Sequence, residues 1–303
     1  ADFKTKVKDD RVNALIHNNQ ELNFPDTQSL FNAYELDELR YKISEYLQNN
    51  GYYGFGPEQI VYYADTLVNT KKVHVKMDIY SSAPTADSTV DSDHIRAYKF
   101  ENISVLNYPY KLEDIKTLSL QTNYYGKDSI PFHYYKRLTF RPHLLQRRLD
   151  IKKDSLYSSE DISRSMRAIN GLGIFRAVNF KIKPSPGQDV NDSIQSLDCE
   201  IQLSPSTKQS YTIDLEGYTS SGTIGTGLKF IYSHKNLFRR AIYLNLSLNG
   251  KVERFNSASS LSNGTYAYEY GFNSTLRFPK FFSPFRLYKF NNKYFPNTIF
   301  NVN

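Results

Sequence analysis

Between Ala241 and Gly250 the chain reads AIYLNLSLNG, with Ile242, Leu244, Leu246 and Leu248 on every second position and Tyr243, Asn245, Ser247 and Asn249 between them. Strict alternation predicts a β-strand with one apolar face and one wet face. Two folds use such a strand. In a soluble sandwich the leucines meet a second sheet, whereas in a membrane barrel they meet hydrocarbon and the polar residues line the interior. The neighbouring segments favour the barrel. YTIDLEGY sets Tyr211, Ile213 and Leu215 against Thr212, Asp214 and Glu216, and TGLKFIYSH places Leu228, Phe230 and Tyr232 on one face with Ile231 opposite. TYAYEYGFNSTLRF alternates Tyr266, Tyr268, Tyr270 and Phe272 with Ala267, Glu269, Gly271 and Asn273. Each run is close to the roughly 9 to 11 residues that a tilted strand needs to cross a bilayer. The connections agree: KNLFRRA is short and KVERFNSASSLSNG is long and polar, as expected for turns on one side of a membrane and loops on the other. Phe238 and the cluster Phe278, Phe281, Phe282 and Phe285 then gather at the short-turn side, where an aromatic girdle belongs. Phe300 and Val302 begin a fifth strand.

The first two thirds hold a repeated unit. Asn32 and Glu35 form a capping box before the stripe Leu36, Leu39, Ile43 and Leu47, and Gly51 ends that helix. IVYYADTL and KVHVKMDIY follow as a hairpin around Asn69-Thr70-Lys71. In the second copy Ser158 and Asp161 open a helix through Ile162, Met166 and Ile169 that stops at Gly171 and Gly173; the strands IFRAVNFKIK and LDCEIQL follow. RPHLLQRRL supplies an earlier helix starting at Pro142, and IRAYKFENISVL an opening strand. The module is β-α-α-β-β, two helices on one face of a small mixed sheet. The expected layout is a first module over residues 1–83 with its first strand incomplete, a Ser/Thr/Asp-rich linker over 84–94, a second module over 95–207 carrying an insertion at 108–135, and barrel strands over 208–303.

Other readings are weaker. No segment approaches the roughly 18 consecutive apolar residues of a spanning helix, and Ala1-Asp2-Phe3-Lys4 is not a secretory leader, so the numbering is expected to start inside a longer precursor. The single Cys199 reads as a buried, inert thiol. The net charge of +7 comes from scattered bases, and the six histidines (His17, His74, His94, His133, His143, His234) lack metal-ligand spacing. The glycines at 54 and 56, and at 222, 225 and 227, serve turns and a hairpin, with no helix to make a phosphate loop. HYYKRLTFRPH mixes bases with aromatics but has no RNP-like motif. No catalytic, cofactor-binding or metal-binding residues, no small-molecule substrate and no nucleic-acid partner are expected.

The blocks YLQNNGYYGFGPEQIVYYADT, INGLGIFRAVNFKI, LDCEIQLSPSTKQSYTIDLEGYTSSGTIGTGLKFIYSHKNLFRRA and LRFPKFF resemble the BamA/TamA family of outer-membrane assembly proteins, closest to its TamA-like lipoprotein (TamL) branch in Bacteroidetes. The repeated module is similar to the family's POTRA domain. The resemblance implies periplasmic POTRA domains followed by the first strands of an antiparallel outer-membrane barrel that is incomplete in this chain. It also implies that KNLFRRA is the periplasmic turn between barrel strands two and three. Asp65-Thr66-Leu67, Asp128-Ser129-Ile130, Asp154-Ser155-Leu156 and Asp192-Ser193-Ile194 resemble Bacteroidetes glycosylation sites.

The mechanism so implied has no bond chemistry. An open strand edge accepts an extended client through backbone hydrogen bonds. The expected client edges are Ile60, Val61, Tyr62 and Tyr63 in the first module and Phe175, Arg176, Ala177, Val178, Asn179 and Phe180 in the second. By the resemblance, the lateral seam is the first barrel strand: Tyr211, Thr212, Ile213, Asp214, Leu215, Glu216, Gly217 and Tyr218. Expected partners are the outer-membrane bilayer, client outer-membrane β-proteins and accessory periplasmic or inner-membrane subunits. The alternative function is a two-partner-type secretion pore exporting one client through the barrel.

Overall fold

The computed structural model describes residues 2–7, 9–19, 22, 24–25, 30–67, 72–81, 95–110, 115–116, 118–126, 128–187, 192–220, 223–255, 265–280 and 296–303. The fold is mostly β-sheet with few helices. It divides into two compact units, one of Ala1–Ile103, Asp150–Arg164 and Ile182–Cys199, the other of Ser104–Leu149, Ser165–Lys181 and Glu200–Asn303.

The first module begins with β1 (Asp2–Val7) and α1 (Asp10–Asn18), followed by α2 (Ala33–Asn49), β2 (Ile60–Leu67) and β3 (Lys72–Ile79). The α2 cap uses the two residues the sequence names, Asn32 and Glu35, with a bond between their side chains in place of the reciprocal backbone bonds of a capping box. The Asn32 side chain accepts from the Tyr34 N–H and donates to Glu35 Oε1 at 3.0 Å, so the first turn is closed at both ends. Leu36, Leu39, Ile43 and Leu47 are buried on one stripe, each worth about 1.5–3 kcal/mol of apolar burial. Leu39, Ile43 and Leu47 share one core with Val12 and Ile16 of α1 and with Ile60, Met77 and Ile79 of the sheet. The sheet order is β1-β3-β2, with β1 parallel and β2 antiparallel to β3. Sequence reasoning left β1 open and did not find α1, whose signal was Asp9. That carboxylate accepts from the Arg11 and Val12 N–H groups.

Gly51 stands at φ +105°, where a β-carbon would meet Leu156 and Ala97 at 3.4–3.5 Å. Its carbonyl accepts from the Tyr98 N–H at 2.8 Å, and Asn49 Oδ1 accepts from the Glu160 N–H at 2.8 Å. Tyr53 packs edge-on against both Tyr98 and Tyr157. The turn that ends α2 is thereby fastened to the start of the second module.

That module holds β4 (Ala97–Asn107), β5 (Leu120–Tyr125), β6 (Ile130–Tyr135), α3 (Pro142–Gln146), α4 (Ser159–Asn170), β7 (Phe175–Pro184) and β8 (Ile194–Pro205). Its sheet order is β5-β6-β4-β8-β7. The insertion at 108–135 therefore contributes β5 and β6 to the sheet, with β6 parallel to β4 through the pair Val105–Phe132. The helix expected over RPHLLQRRL ends at Gln146, and Arg148 beyond it donates to the Pro279 carbonyl at 2.7 Å. Ser158 Oγ accepts from the Asp161 N–H at the start of α4, and Gly173 follows that helix at φ +68°. Cys199 is buried, as the sequence suggests. The linker over 84–94, the hairpin turn at 69–71 and Phe281, Phe282 and Phe285 lie outside the described residues.

The last third forms one antiparallel sheet: β9 (Gln209–Ser220), β10 (Thr223–Leu237), β11 (Ile242–Phe255), β12 (Thr265–Phe278) and β13 (Thr298–Val302), in the order β13-β12-β11-β10-β9. The expected fifth strand is β13. The β10–β11 turn holds Phe238, Arg239 and Ala241 at φ +54°, +60° and +55°, each costing about 1–2 kcal/mol for a residue with a β-carbon. Five contacts offset that strain. Asn236 donates to the Thr139 carbonyl and accepts from the Ala241 N–H, Arg141 N–H donates to the Arg239 carbonyl at 3.0 Å, Arg239 Nη2 donates to the Phe140 carbonyl at 3.2 Å, and the Asn236 N–H donates to His234 Nδ1. The short turn is therefore bonded to the segment that leads into α3.

Candidate functional site: strand edges and an uncovered apolar face

The register of the last sheet sorts its side chains into rows. Tyr211, Tyr232 and Leu246 lie opposite one another across β9, β10 and β11. The next rows are Ile213, Phe230, Leu248 and Phe272, then Leu215, Leu228, Gly250 and Tyr270. All share one face, since side chains alternate along each strand. The other face carries Thr212, Ile231, Ser247 and Asn273, then Asp214, Lys229, Asn249 and Gly271, then Glu216, Gly227, Lys251 and Glu269. A slip of one residue in any pair would mix the two sets, so the register and the alternation specify each other.

No second layer covers the apolar face among the described residues. Leu215 is 78 % exposed, Tyr270 81 % and Leu248 52 %, while Leu244 and Leu246 are half-buried. A monomeric soluble protein rarely shows so large a contiguous apolar surface. Among the described residues no helix is long and apolar enough to cross a membrane. At the short-turn end Phe238 is exposed and Phe278 packs edge-on against Phe300 at 5.8 Å.

On the polar face the ring of Tyr218 lies over Gly225, where a β-carbon would collide with it, and the Tyr218 hydroxyl donates to Glu253. Gly217, by contrast, has open space around its missing side chain. There the Thr226 hydroxyl reaches across to the Glu216 carbonyl at 3.0 Å.

All three stretches singled out in the sequence lie on edge strands: Ile60–Tyr63 on β2, Phe175–Phe180 on β7 and Tyr211–Tyr218 on β9. Their side chains divide the work. Ile60 is buried in the core and Phe175 packs edge-on against Phe140 at 5.3 Å, so these two anchor their strands. Val61 and Tyr62 are half-buried, as are Val178 and Phe180. Burial pushes the Tyr62 phenol up to about 12, opposed by the guanidinium of Arg40, which lies 5.4 Å over the ring. Tyr63 faces solvent with its hydroxyl 3.0 Å from that of Tyr80 and Lys76 over its ring. Arg176, Ala177 and Asn179 are exposed. An edge strand presents unpaired backbone N–H and C=O groups along its outer side, which is what an added strand needs. Sequence reasoning missed one feature: a groove of 790 Å³ between the start of β7 and the start of β9, lined by Arg176, Lys208 and Lys235.

No protein-family model matches the chain, and no curated protein matches it. Among solved structures it is similar to BamA from Haemophilus ducreyi lacking POTRA domains 1–3, at 13 % identity and a TM-score of 0.39 over 91 % of this chain and 46 % of that one. It is similar to CdiB from Acinetobacter baumannii at 9 % identity and a TM-score of 0.38, over 91 % of this chain and 48 % of that one. A third likeness is to POTRA domains 3–5 of Haemophilus influenzae BamA, at 12 % identity and a TM-score of 0.23 over 67 % of this chain and 95 % of that one. The chain thus spans about half the length of the first two structures.

Proposed function

We propose that the chain comprises two POTRA-type modules and the first strands of the barrel of an outer-membrane assembly factor of the BamA/TamA kind, with the TamA-like lipoprotein branch closest in its sequence blocks. The observation that carries this reading is the uncovered apolar face, kept in register from β9 to β13 with β9 as its open edge. The apolar rows face hydrocarbon, the polar rows face the lumen, and the modules stand in the periplasm. Client β-strands add to the edges of β2 and β7 and then to the seam at β9, where backbone hydrogen bonds tolerate many sequences. The work is strand exchange and uses no catalytic group or cofactor.

Two measurements test it. Depletion of the full-length protein followed by a proteome of the outer membrane should show many β-barrel proteins falling together. A photocrosslinker at Thr212 or Asp214 should capture client strands during their synthesis. Loss of one exported protein with the barrels intact favours a secretion pore, and an unchanged proteome with no crosslink sinks both readings.

A further inference from the structure

The short turn between β10 and β11 gathers arginines from two distant stretches of the second compact unit. Arg239 and Arg240 belong to the turn itself, Arg137 and Arg141 precede α3, and Arg147 follows it. Two bonds hold the stretches together: the Arg141 N–H donates to the Arg239 carbonyl at 3.0 Å, and Arg239 Nη2 donates to the Phe140 carbonyl at 3.2 Å. Arg137, Arg141, Arg147 and Arg240 are exposed, and none of the five is paired with a carboxylate among the described residues. Of the acids that flank them in sequence, Asp150 pairs with Arg164 at 3.6 Å, and Asp128 is exposed without an ion pair among the described residues. In the sequence, residues 281–295 add Arg286, Lys289 and Lys293 and no acid.

These charges lie close enough to repel. Desolvation first, and then the guanidiniums of Arg147, Arg141 and Arg240, push the His143 imidazole below its ordinary value. Desolvation again, and then Arg137 and Arg141, push the Arg239 guanidinium down. Like charges gathered without internal partners favour an anion supplied from outside, and planar guanidiniums suit phosphate oxygens. The same turn carries Phe238, which is 70 % exposed, and it stands at the end of the sheet where Phe278 meets Phe300. An exposed aromatic beside arginines, at the end of an uncovered apolar sheet, suits the boundary between headgroups and acyl chains. A soluble acidic protein would satisfy the arginines but leave the apolar face uncovered.

We infer that Arg137, Arg141, Arg147 and Arg240 bind the phosphate headgroups of anionic phospholipids in the leaflet on the short-turn side, with Phe238 at the boundary of headgroups and acyl chains. This rests on the bilayer placement proposed above. The lipids hold the short turn, and the segment bonded to it ahead of α3, at the membrane surface.

The test uses the full-length protein in phosphatidylcholine nanodiscs with a minority of phosphatidylglycerol, the retained lipids being counted by native mass spectrometry. Phosphatidylglycerol should be enriched over its share of the disc, and millimolar inorganic phosphate should fail to displace it. The side chains of Arg137, Arg147 and Arg240 hold no hydrogen bond among the described residues. Arg137→Gln, Arg147→Gln and Arg240→Gln should each weaken retention roughly fivefold, and together about 100-fold. Lysine at the same three positions should restore most of it, which separates charge from a folding defect. Phe238→Trp should add fluorescence that brominated lipid quenches. Enrichment unchanged by the triple glutamine variant overturns the site, as does full displacement by inorganic phosphate or a tryptophan that brominated lipid leaves unquenched. Capture of polyglutamate in pure phosphatidylcholine discs, with no enrichment of phosphatidylglycerol in the mixed ones, overturns it in favour of an acidic protein. A protein that does not enter the nanodisc at all defeats the bilayer placement and this site with it, whereas one that enters and ignores phosphatidylglycerol defeats this site alone.

Discussion

Asn236 donates through Nδ2 to the Thr139 carbonyl at 2.7 Å, while its Oδ1 accepts from the Ala241 N–H at 3.0 Å. The side chain is 6 % exposed, so water replaces neither bond. Asn236→Ala leaves a buried carbonyl and a buried N–H unpaired and should cost about 2–4 kcal/mol, measured by denaturant unfolding in detergent micelles. Asn236→Asp should cost nearly as much, because a carboxylate cannot donate to Thr139.

Ile213 and Thr212 are adjacent and on opposite faces. Ile213→Lys places a charge on the apolar side and should destabilise the bilayer-folded protein by about 2–4 kcal/mol. Thr212→Lys should change it by less than about 1 kcal/mol. Refolding into lipid vesicles reads both, and equal costs for the two lysines would show that the apolar face does not meet hydrocarbon.

Gly225 and Gly217 should respond oppositely to the same change. Gly225→Ala drives a methyl into the ring of Tyr218 and disturbs its bond to Glu253, an overpacking cost of about 1–3 kcal/mol. Gly217→Ala meets nothing and should be neutral or stabilising by up to about 1 kcal/mol. Hydrogen exchange should then report slower opening of the β9 amides in Gly217→Ala and faster opening in Gly225→Ala.

Gly51→Ala combines a φ of +105° with contacts at 3.4–3.5 Å to Leu156 and Ala97. It should cost at least about 1–2 kcal/mol and raise protease sensitivity at the turn between α2 and β2. Gly54→Ala, also at positive φ but with nothing nearby, should show the backbone cost alone.

The alternation from Tyr211 to Phe272 was enough to assign faces, since a period of two survives whatever the strands pair with. The α2 stripe and its Asn32–Glu35 cap were equally legible, being local. What escaped depended on distant partners. β1 carries only Phe3 and Val7 as large apolar residues, and its place is set by parallel pairing with β3, some seventy residues on. α1 has nine residues, too few to be stable alone, and it is held by the core that Val12 and Ile16 enter. The insertion gave no sign that β6 would lie beside β4. The basic groove joins residues near 110, 176, 208 and 235, which no window of sequence brings together.

The β5–β6 hairpin fills the flank of β4 that β1 leaves open in the first module. The two repeats are therefore not interchangeable berths. A chain docking beside β4 would be turned away and find its nearest alternative on the outside of β5, about 10 Å further out at the usual inter-strand spacing. An added strand in the second module would thus find its free edges on β5 and β7, and β7 is the one whose first residues border the groove beside the start of β9.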